Sequence, residues 1–305
     1  MNNPLLPHLA VNNPYLPHLA VNDPCLPHVA VNNPYLPHLA EVTAVQDLAS
    51  GIKLFRCGFV EKTPPDFHYT PGQFGFLSAF GVGEAPFGLA VSEARSHGQV
   101  EFAVQRIGSV TNALHDMLPG DLVGVRGPMG HGFPLAELKG PRLIILGGGI
   151  GLAPLRPLIQ EILDQRDEYG DLEIFCAARG PDLLCFREEY DEWAAAPRTT
   201  VHVTVDRGDA AWQGNVGLIT EALARVAPSP DGALAITCGP PIMIKFVLKE
   251  LTRLGFQPAQ VITTLEGKMK CGLGKCGRCN VGDQYICQDG PVFRFDQIQR
   301  FLEAF

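Results

Sequence analysis

The run Leu143-Ile144-Ile145-Leu146-Gly147-Gly148-Gly149-Ile150-Gly151-Leu152-Ala153-Pro154 decides how the second half of this chain folds. Its apolar residues predict a buried strand, its glycines a tight turn, and the helical spacing of leucine and isoleucine after Pro154 predicts a helix. Backbone N–H groups at the start of such a helix can bind the pyrophosphate of a dinucleotide. A purely structural turn needs fewer glycines, so we favour the phosphate-binding interpretation.

The alternation of strand and helix continues to about residue 263. Strands are predicted over Leu172–Ala177, Thr200–Val205 and Ala233–Cys238, with helices near Phe186–Ala194, Leu218–Val226 and Ile242–Leu254. This alternation predicts a parallel sheet covered by helices on both faces. Residues 139–263 are therefore expected to form an α/β parallel-sheet domain, with its ligand outside the carboxyl ends of the strands.

All three of those strand ends carry informative residues. Cys238-Gly239-Pro240-Pro241 follows the last predicted strand and is placed to reach a nicotinamide, although Cys238 could equally be a small buried thiol. Arg179 stands at the end of the second strand, where an NAD-type site would carry an acid, and Arg207 stands at the end of the next strand. Cations there favour NADP over NAD, although they could equally pair with acids such as Asp182.

Before this domain, residues 32–138 read as short alternating strands. The predicted pieces are Val42–Val45, Ile52–Phe55, Gln73–Ser78, Val100–Val104 and Leu122–Arg126, separated by proline and glycine turns. This pattern predicts a small antiparallel β-barrel. Within it, Gly108-Ser109-Val110-Thr111 begins a helix-like segment that could bind a phosphate, or could simply cap the helix.

The first forty residues repeat with a ten-residue period, close to Asn-Asn-Pro-Tyr-Leu-Pro-His-Leu-Ala-Val. Two prolines in each copy exclude a regular helix and a central strand. We expect residues 1–31 to be extended and mobile, and the last copy, Asn32–Ala40, to dock on the body of the protein. The four repeated histidines do not converge on an extended chain, so they predict no metal site.

The last segment, residues 264–305, contains cysteines at the spacing of metal ligands. Cys271, Cys276, Cys279 and Cys287 are separated by gaps of four, two and seven residues, with glycines among the first three. Gaps of four and two with a later fourth cysteine match the plant-type iron–sulfur pattern. A structural zinc ion is the alternative, although zinc sites more often use paired two-residue gaps.

Composition limits the remaining possibilities. The chain has 305 residues, 46% of them hydrophobic and 18% charged, which suits two or three globular domains. It contains no run long enough for a membrane helix and no secretion signal, so we expect a cytoplasmic protein with reduced cysteines. A net charge of −8 without a basic tract argues against nucleic acid as a partner.

Taken in order, these motifs resemble the ferredoxin-reductase superfamily across nearly the whole chain after the repeats. More narrowly, the chain resembles the gamma (diaphorase) subunit of soluble NiFe hydrogenase/sulfhydrogenase and the B subunit of anaerobic sulfite reductase. The chain also resembles the electron-transfer subunit of dihydroorotate dehydrogenase. The shared stretches are Pro71–Phe74, Ala85–Phe87, Gly108–Thr111, Gly147–Pro154, Cys238–Met243, the cysteine run and the Asn-Pro-Tyr-Leu-Pro-His leader.

The resemblance implies FAD in the barrel, NAD(P)H on the parallel sheet and a [2Fe-2S] cluster on the four cysteines. It assigns flavin contacts to Pro86, Phe87, Gly88, Gly108, Ser109 and Thr111. It assigns nicotinamide dinucleotide contacts to Gly147, Gly148, Gly149, Gly151, Pro154, Arg179, Arg207, Gly239 and Pro240. Gly88 departs from the family, where a serine bonds near the reactive flavin atom, so its effect on the flavin is open.

The expected function is therefore an electron-transfer subunit. It would move electrons between NAD(P)H, FAD and the cluster, to or from a catalytic partner such as a hydrogenase or a sulfur/sulfite reductase. Cys238 and Glu266 are the catalytic candidates, although Glu266 could equally be an exposed acid. Two alternatives stay open: a self-contained NAD(P)H-ferredoxin-type reductase, and a zinc-stabilised scaffold subunit.

Overall fold

A computed structural model describes residues 33–61, 64 and 67–302. The predicted mobility of residues 1–31 concerns a segment outside this described part of the chain. The last repeat copy does dock on the protein where it is described. Pro37 lies against Gly124, and the His38 ring packs edge-on against Phe59 and Phe67 at 6.1 and 6.3 Å between ring centres.

An antiparallel barrel forms the first part of the body. Its strands are β1 (His38–Ala49), β2 (Ile52–Phe59), β3 (Phe74–Ala79), β4 (Gly83–Gly88), β5 (Gln99–Gln105) and β6 (Leu122–Met129). The strands follow the order β4-β3-β6-β1-β2-β5, and an isolated bridge between Leu89 and Phe102 joins the two ends. The short helices in this part are α1 (Glu93–Ser96), α2 (Ser109–His115) and α3 (Leu135–Leu138).

A seven-stranded sheet forms the second part. Six of its strands are β7 (Arg142–Gly148), β8 (Leu172–Ala178), β9 (Thr199–Val205), β10 (Asn215–Val216), β11 (Ala233–Cys238) and β12 (Val261–Thr264), and the C-terminal segment supplies the seventh. The connecting helices are α4 (Leu152–Asp164), α5 (Tyr190–Ala195), α6 (Ile219–Val226) and α7 (Pro241–Arg253). The order β10-β9-β8-β7-β11-β12 is that of a doubly wound sheet, and it reverses between β7 and β11.

Both faces of this sheet are buried, because successive side chains of a strand point to opposite sides. On β7, Leu143 and Ile145 join the core beneath α4, whereas Ile144 and Leu146 join the core beneath α6 and α7. This explains why the strand reads as a continuous apolar run rather than an alternating one.

The C-terminal segment returns to the same sheet. It contains a hairpin of β13 (Asn280–Val281) and β14 (Gln284–Tyr285), then α8 (Ile286–Asp289), β15 (Val292–Arg294) and α9 (Phe295–Leu302). Strand β15 pairs antiparallel with β12, so the cysteine segment is joined to the nucleotide sheet by backbone hydrogen bonds. Its own core packs Cys279, Cys287 and Ile286 against Phe76 and Met129 of the barrel.

The predicted fold class, a barrel followed by a parallel α/β sheet and a cysteine-rich module, is confirmed. The helix predicted near Phe186–Ala194 begins after Phe186, which adopts a positive φ of 57°, and it consists of a 3-10 turn at Arg187–Glu189 followed by α5. In the described part of the chain, no helix combines the length and the apolar character that crossing a membrane requires.

Candidate functional site

The glycine turn after β7 packs backbone against backbone. A Cβ atom on Gly151 would lie 2.5 Å from the Cα atom of Gly239 and 2.7 Å from the carbonyl oxygen of Cys238. Gly149 has a positive φ of 55°, and a Cβ atom there would meet nothing within 4 Å. Gly151 is therefore needed for packing, whereas Gly149 faces open space at the start of α4, where a phosphate would bind.

This turn and the predicted nicotinamide residues meet at the point where the strand order reverses. Gly147 and Cys238 are neighbours in the parallel register of β7 and β11. The five predicted residues Gly147, Gly148, Gly151, Cys238 and Gly239 thus share one location, as the sequence predicted for the carboxyl ends of these strands.

Cys238 is a neutral thiol at this location. The side chain is 4% exposed, and burial raises its pKa to about 12 despite a hydrogen bond with Thr264. Nearby Glu266 raises it further, and burial also raises the pKa of Glu266 itself. An un-ionised thiol is a poor nucleophile, so Cys238 can pack against a bound nicotinamide but is not poised for covalent chemistry.

A cavity of about 730 Å³ begins beside these residues. Its lining includes Gly239, Glu266, residues of α7, Val281 and Phe295. Glu266 is exposed, as one of the two interpretations of the sequence expected, and it also contributes to this cavity.

Arg179 and Arg207 follow the neighbouring strands β8 and β9, at the edge of the sheet where the ligand is expected to bind. The backbone N–H of Arg207 donates to the carbonyl of Arg179 at 3.1 Å. Asp206 lies beside them, since its backbone N–H donates to the carbonyl of Ala178 at 2.9 Å. The sequence analysis missed it because it follows the third strand rather than the second. Burial raises the pKa of the Asp206 carboxyl, and the two arginines partly offset this effect.

Strand β4 carries the residues predicted to contact the flavin. The Phe87 ring lies edge-on to Phe102, with ring centres 6.4 Å apart. A Cβ atom on Gly88 would lie 2.9 Å from Cγ of Pro154, which belongs to the first turn of α4. Gly88 therefore lets the barrel and the nucleotide domain approach each other, which supplies a physical reason for glycine where the family has serine.

The predicted phosphate-binding turn at Gly108–Thr111 has a clear capping role. The Thr111 hydroxyl accepts hydrogen bonds from the N–H groups of Ile107 and Gly108, at 2.9 and 2.8 Å. It also lies 3.0 Å from the Gly108 carbonyl, to which it can donate. The hydroxyl of Thr111 is thus committed to the turn, and exposed Ser109 is the hydroxyl left to face a ligand.

The four ligand cysteines lie around a loop rich in left-handed glycines. The N–H of Leu273 donates to Sγ of Cys271 at 3.3 Å, and the N–H of Gly274 donates to Sγ of Cys287 at 3.2 Å. Three loop glycines have positive φ values near 70° that aim these N–H groups inward: Gly272, Gly274 and Gly277. Donation from backbone to sulfur is what an anionic thiolate cluster requires.

The sulfur atoms are arranged as two pairs. The thiol of Cys271 lies within hydrogen-bonding reach of Cys276, and that of Cys287 within reach of Cys279. Two pairs provide two thiolates for each iron of a binuclear cluster, so these residues fit the implied [2Fe-2S] group.

The backbone N–H groups of the loop stabilise the thiolate of Cys271 but do not outweigh burial at Cys287. Partial burial favours the neutral form of Cys271, but N–H groups of Leu273, Lys275 and Cys276 outweigh it and lower the pKa to about 7. For Cys287, burial and the neighbouring Cys279 raise the pKa to about 12, against the N–H of Gly274.

Arg126 connects the cluster loop to the barrel, a role that the sequence analysis missed. Its side chain is 3% exposed, and it donates to the Cys271 carbonyl at 2.8 Å and to Glu84 of β4 at 2.6 Å. The guanidinium also lies 4.2 Å from the centre of the Phe76 ring. A lone arginine in the otherwise apolar strand Leu122–Met129 was the available signal, because a buried charge needs partners.

Comparison with known proteins agrees with this geometry. Residues 145–249 match the oxidoreductase NAD-binding domain family, and residues 266–299 match the iron–sulfur cluster binding domain of dihydroorotate dehydrogenase B. The chain is 38% identical over 266 residues to sulfhydrogenase 1 subunit gamma of Pyrococcus furiosus, covering 85% of this chain and 90% of that protein.

It is also 34% identical over 242 residues to a probable dihydroorotate dehydrogenase B electron transfer subunit of Methanocaldococcus jannaschii, covering 79% of this chain and 84% of that protein. Among solved structures, an NADH-dependent reduced ferredoxin-NADP oxidoreductase superposes with a TM-score of 0.68 at 23% identity. That superposition covers 87% of this chain and 93% of the other, and it supports the fold.

Proposed function

Since the chain belongs to the family of electron-transfer subunits that includes sulfhydrogenase gamma and dihydroorotate dehydrogenase B subunits, we propose that it carries electrons between NAD(P)H, FAD and a [2Fe-2S] cluster. The relay would connect NAD(P)H with a catalytic partner subunit. The relatives are named as subunits, which favours a partner over a self-contained reductase.

The observation that carries this proposal is the position of β4. At one end of the strand, Gly88 meets Pro154 beside the nucleotide turn. Near the other end, Glu84 is bonded to Arg126, which in turn holds the carbonyl of Cys271. The strand predicted to contact the flavin is therefore attached to both the nucleotide site and the cluster site, as an intermediate carrier would require.

When bound, the nicotinamide supplies a hydride, the flavin converts this electron pair into single electrons, and the cluster carries one electron at a time. The residues of this chain bind and orient these groups. The turn at Gly147–Gly151 would hold the dinucleotide phosphates, and Phe87 would pack on the flavin ring. Cys238 would exclude water beside the nicotinamide, and Cys271, Cys276, Cys279 and Cys287 would ligate the irons.

The preferred nicotinamide is a finer part of the proposal. Arg179 and Arg207 favour a 2′-phosphate, whereas Asp206 beside them would repel it. Two cations against one carboxylate favour NADPH. A KM for NADPH below that for NADH would support this preference, and a strong preference for NADH would overturn it.

The proposed relay also indicates what kind of partner the chain requires. The described residues offer an entry and an exit for electrons, and a hydrogenase or sulfur/sulfite reductase subunit would provide the terminal reaction. Purification of the complex from its native host tests this directly. A protein that purifies alone and reduces a free ferredoxin would instead be the self-contained reductase.

Cofactor analysis of the purified chain tests the whole relay. We expect one FAD, two irons and two acid-labile sulfides per chain, with a visible spectrum that bleaches when NAD(P)H is added without oxygen. A colourless protein that contains zinc would support the scaffold alternative and end the electron-transfer proposal.

A further inference from the structure

The cluster loop has a strongly basic exposed surface in an acidic protein. The chain carries a net charge of −8, yet residues 268–279 contain four cations and no acid. The side chains of these cations are all exposed: Lys268, Lys270, Lys275 and Arg278. We call these four residues the basic face.

Within the part of the chain that the structure describes, the basic face has no ion-pair or hydrogen-bond partner for its side chains, unlike most other charged groups there. In the described residues, arginines elsewhere form ion pairs, as Arg95 does with Asp164, Arg253 with Glu250 and Arg300 with Asp283. No ion pair or hydrogen bond joins a side chain of the basic face to the described part of the chain. Asp283, a nearby acid, is already bonded to Arg300.

The basic face lies in the same stretch of chain as the most accessible ligand of the cluster site. Cys276 is exposed, Cys271 is half-buried, and Cys279 and Cys287 are buried. Lys275 and Arg278 lie one position before and two positions after Cys276, and residues 275–278 are all exposed, so these two cations share the exposed stretch of the accessible ligand.

We propose that the basic face is the docking surface for an acidic redox protein or subunit, which exchanges electrons through Cys276. This inference rests on the proposed electron relay and adds the chemistry of its partner. Unpaired, exposed cations raise the association rate of an oppositely charged protein by about 10-fold to 1,000-fold at low salt. The chain's overall negative charge would otherwise repel such a partner.

The competing explanation is that these cations only balance the negative charge of the cluster. The two explanations differ in kinetics. Cations that balance the cluster would change its reduction potential and affect every acceptor in the same direction. A docking surface would instead favour acidic acceptors and oppose basic ones.

The test uses two coloured one-electron acceptors of opposite charge, the acidic soluble domain of cytochrome b5 and basic cytochrome c. The full chain, reduced without oxygen by NAD(P)H, is mixed with each acceptor at low and high salt, and haem reduction is followed. The variants are Lys268→Glu/Lys270→Glu and Lys275→Glu/Arg278→Glu, with Arg225→Glu, an exposed residue far along the chain, as the matched control.

We expect each double variant to reduce cytochrome b5 at least tenfold more slowly than wild type at low salt, and cytochrome c faster. High salt should remove most of both differences, because it screens exposed charges. Arg225→Glu should behave as wild type. Equal rates in the variants and wild type, or the same direction of change with both acceptors, would overturn the docking proposal.

Failure of the docking proposal is distinguishable from failure of the relay. Iron content and bleaching by NAD(P)H are measured before any acceptor is added. Loss of either in wild type would refute the relay, whereas an intact relay with unselective acceptors refutes only the basic face. Should the Lys275→Glu/Arg278→Glu protein fail to hold iron, Lys268→Glu/Lys270→Glu, which lies outside the cysteine run, still decides the question.

Discussion

Replacing Arg126 with methionine should loosen the cluster loop from the barrel. Methionine fills a similar volume but removes the bonds to the Cys271 carbonyl and to Glu84, at 2.8 and 2.6 Å. Breaking a buried ion pair costs about 3–5 kcal/mol when the remaining charge stays buried. Glu84 is 33% exposed and can regain water, so we expect a loss of about 2–3 kcal/mol.

That loss corresponds to a melting temperature lower by roughly 4–6 °C for a body of this size. A protein with several cofactors does not unfold in one step, so the melt should be followed separately by cluster absorption and by flavin fluorescence. We expect the cluster signal to be lost first in Arg126→Met. Arg126→Lys keeps the charge but not the planar donor geometry, so its loss should be smaller.

Arg300→Met provides the matched control. It removes an arginine from the same C-terminal segment, but its ion pair with Asp283 is 64% and 65% exposed and contributes about 0–1 kcal/mol. If Arg126→Met melted at the same temperature as Arg300→Met, with the cluster and flavin signals lost together, Arg126 would not hold the loop as described.

Three further predictions follow from glycine packing and buried thiols. Gly88→Ser should press on Pro154, lower stability by about 1–3 kcal/mol and slow flavin reduction by NAD(P)H; unchanged melting and kinetics would contradict this contact. Gly151→Ala should destabilise the protein far more than Gly149→Ala, because a Cβ atom at position 151 would meet the Gly239 backbone. Alanine at position 149 costs only the strain of a positive φ, about 1 kcal/mol, so the melting temperature should fall much more in Gly151→Ala. The free energy of unfolding in urea should fall as pH rises from 9 towards 12. Burial raises the pKa of several thiols from 9.0 to about 12, so the unfolded chain loses these protons first, and each thiol contributes up to about 1.4 kcal/mol per pH unit. A stability that does not change over this pH range would contradict the burial of these thiols. The thiols concerned are Cys57, Cys176, Cys185 and Cys238.

The sequence was most informative where function requires special local chemistry. The glycine turn after β7 was predictable because four glycines exceed the needs of a structural turn, and the cysteine gaps were predictable because ligand spacing is local. Strand β15 was not predicted, because three residues carry little periodicity and their pairing with β12 is distant in sequence. The hydrogen bonds of Arg126 were also missed because its partners are distant in sequence, 42 and 145 positions away.

Gly88 shows a different limit of sequence reasoning. As a departure from the family pattern, it indicated only a lost hydroxyl near the flavin. Its contact with Pro154 reveals a packing role that no local pattern could show. The basic face was overlooked because its cations are spaced among cysteines and glycines rather than forming a continuous tract.

Cys276→Ser tests the order in which electrons pass along the relay. Serine at this exposed ligand position should abolish or strongly slow electron transfer to a protein acceptor, while NAD(P)H still bleaches the flavin at the wild-type rate. Cys25→Ser, which removes a thiol outside the cluster run, should leave both steps unchanged. Rapid-mixing absorption at flavin and acceptor wavelengths separates the two steps. Wild-type transfer to the acceptor in Cys276→Ser, or equal loss of both steps, would contradict a relay that runs from nicotinamide through flavin to the cluster.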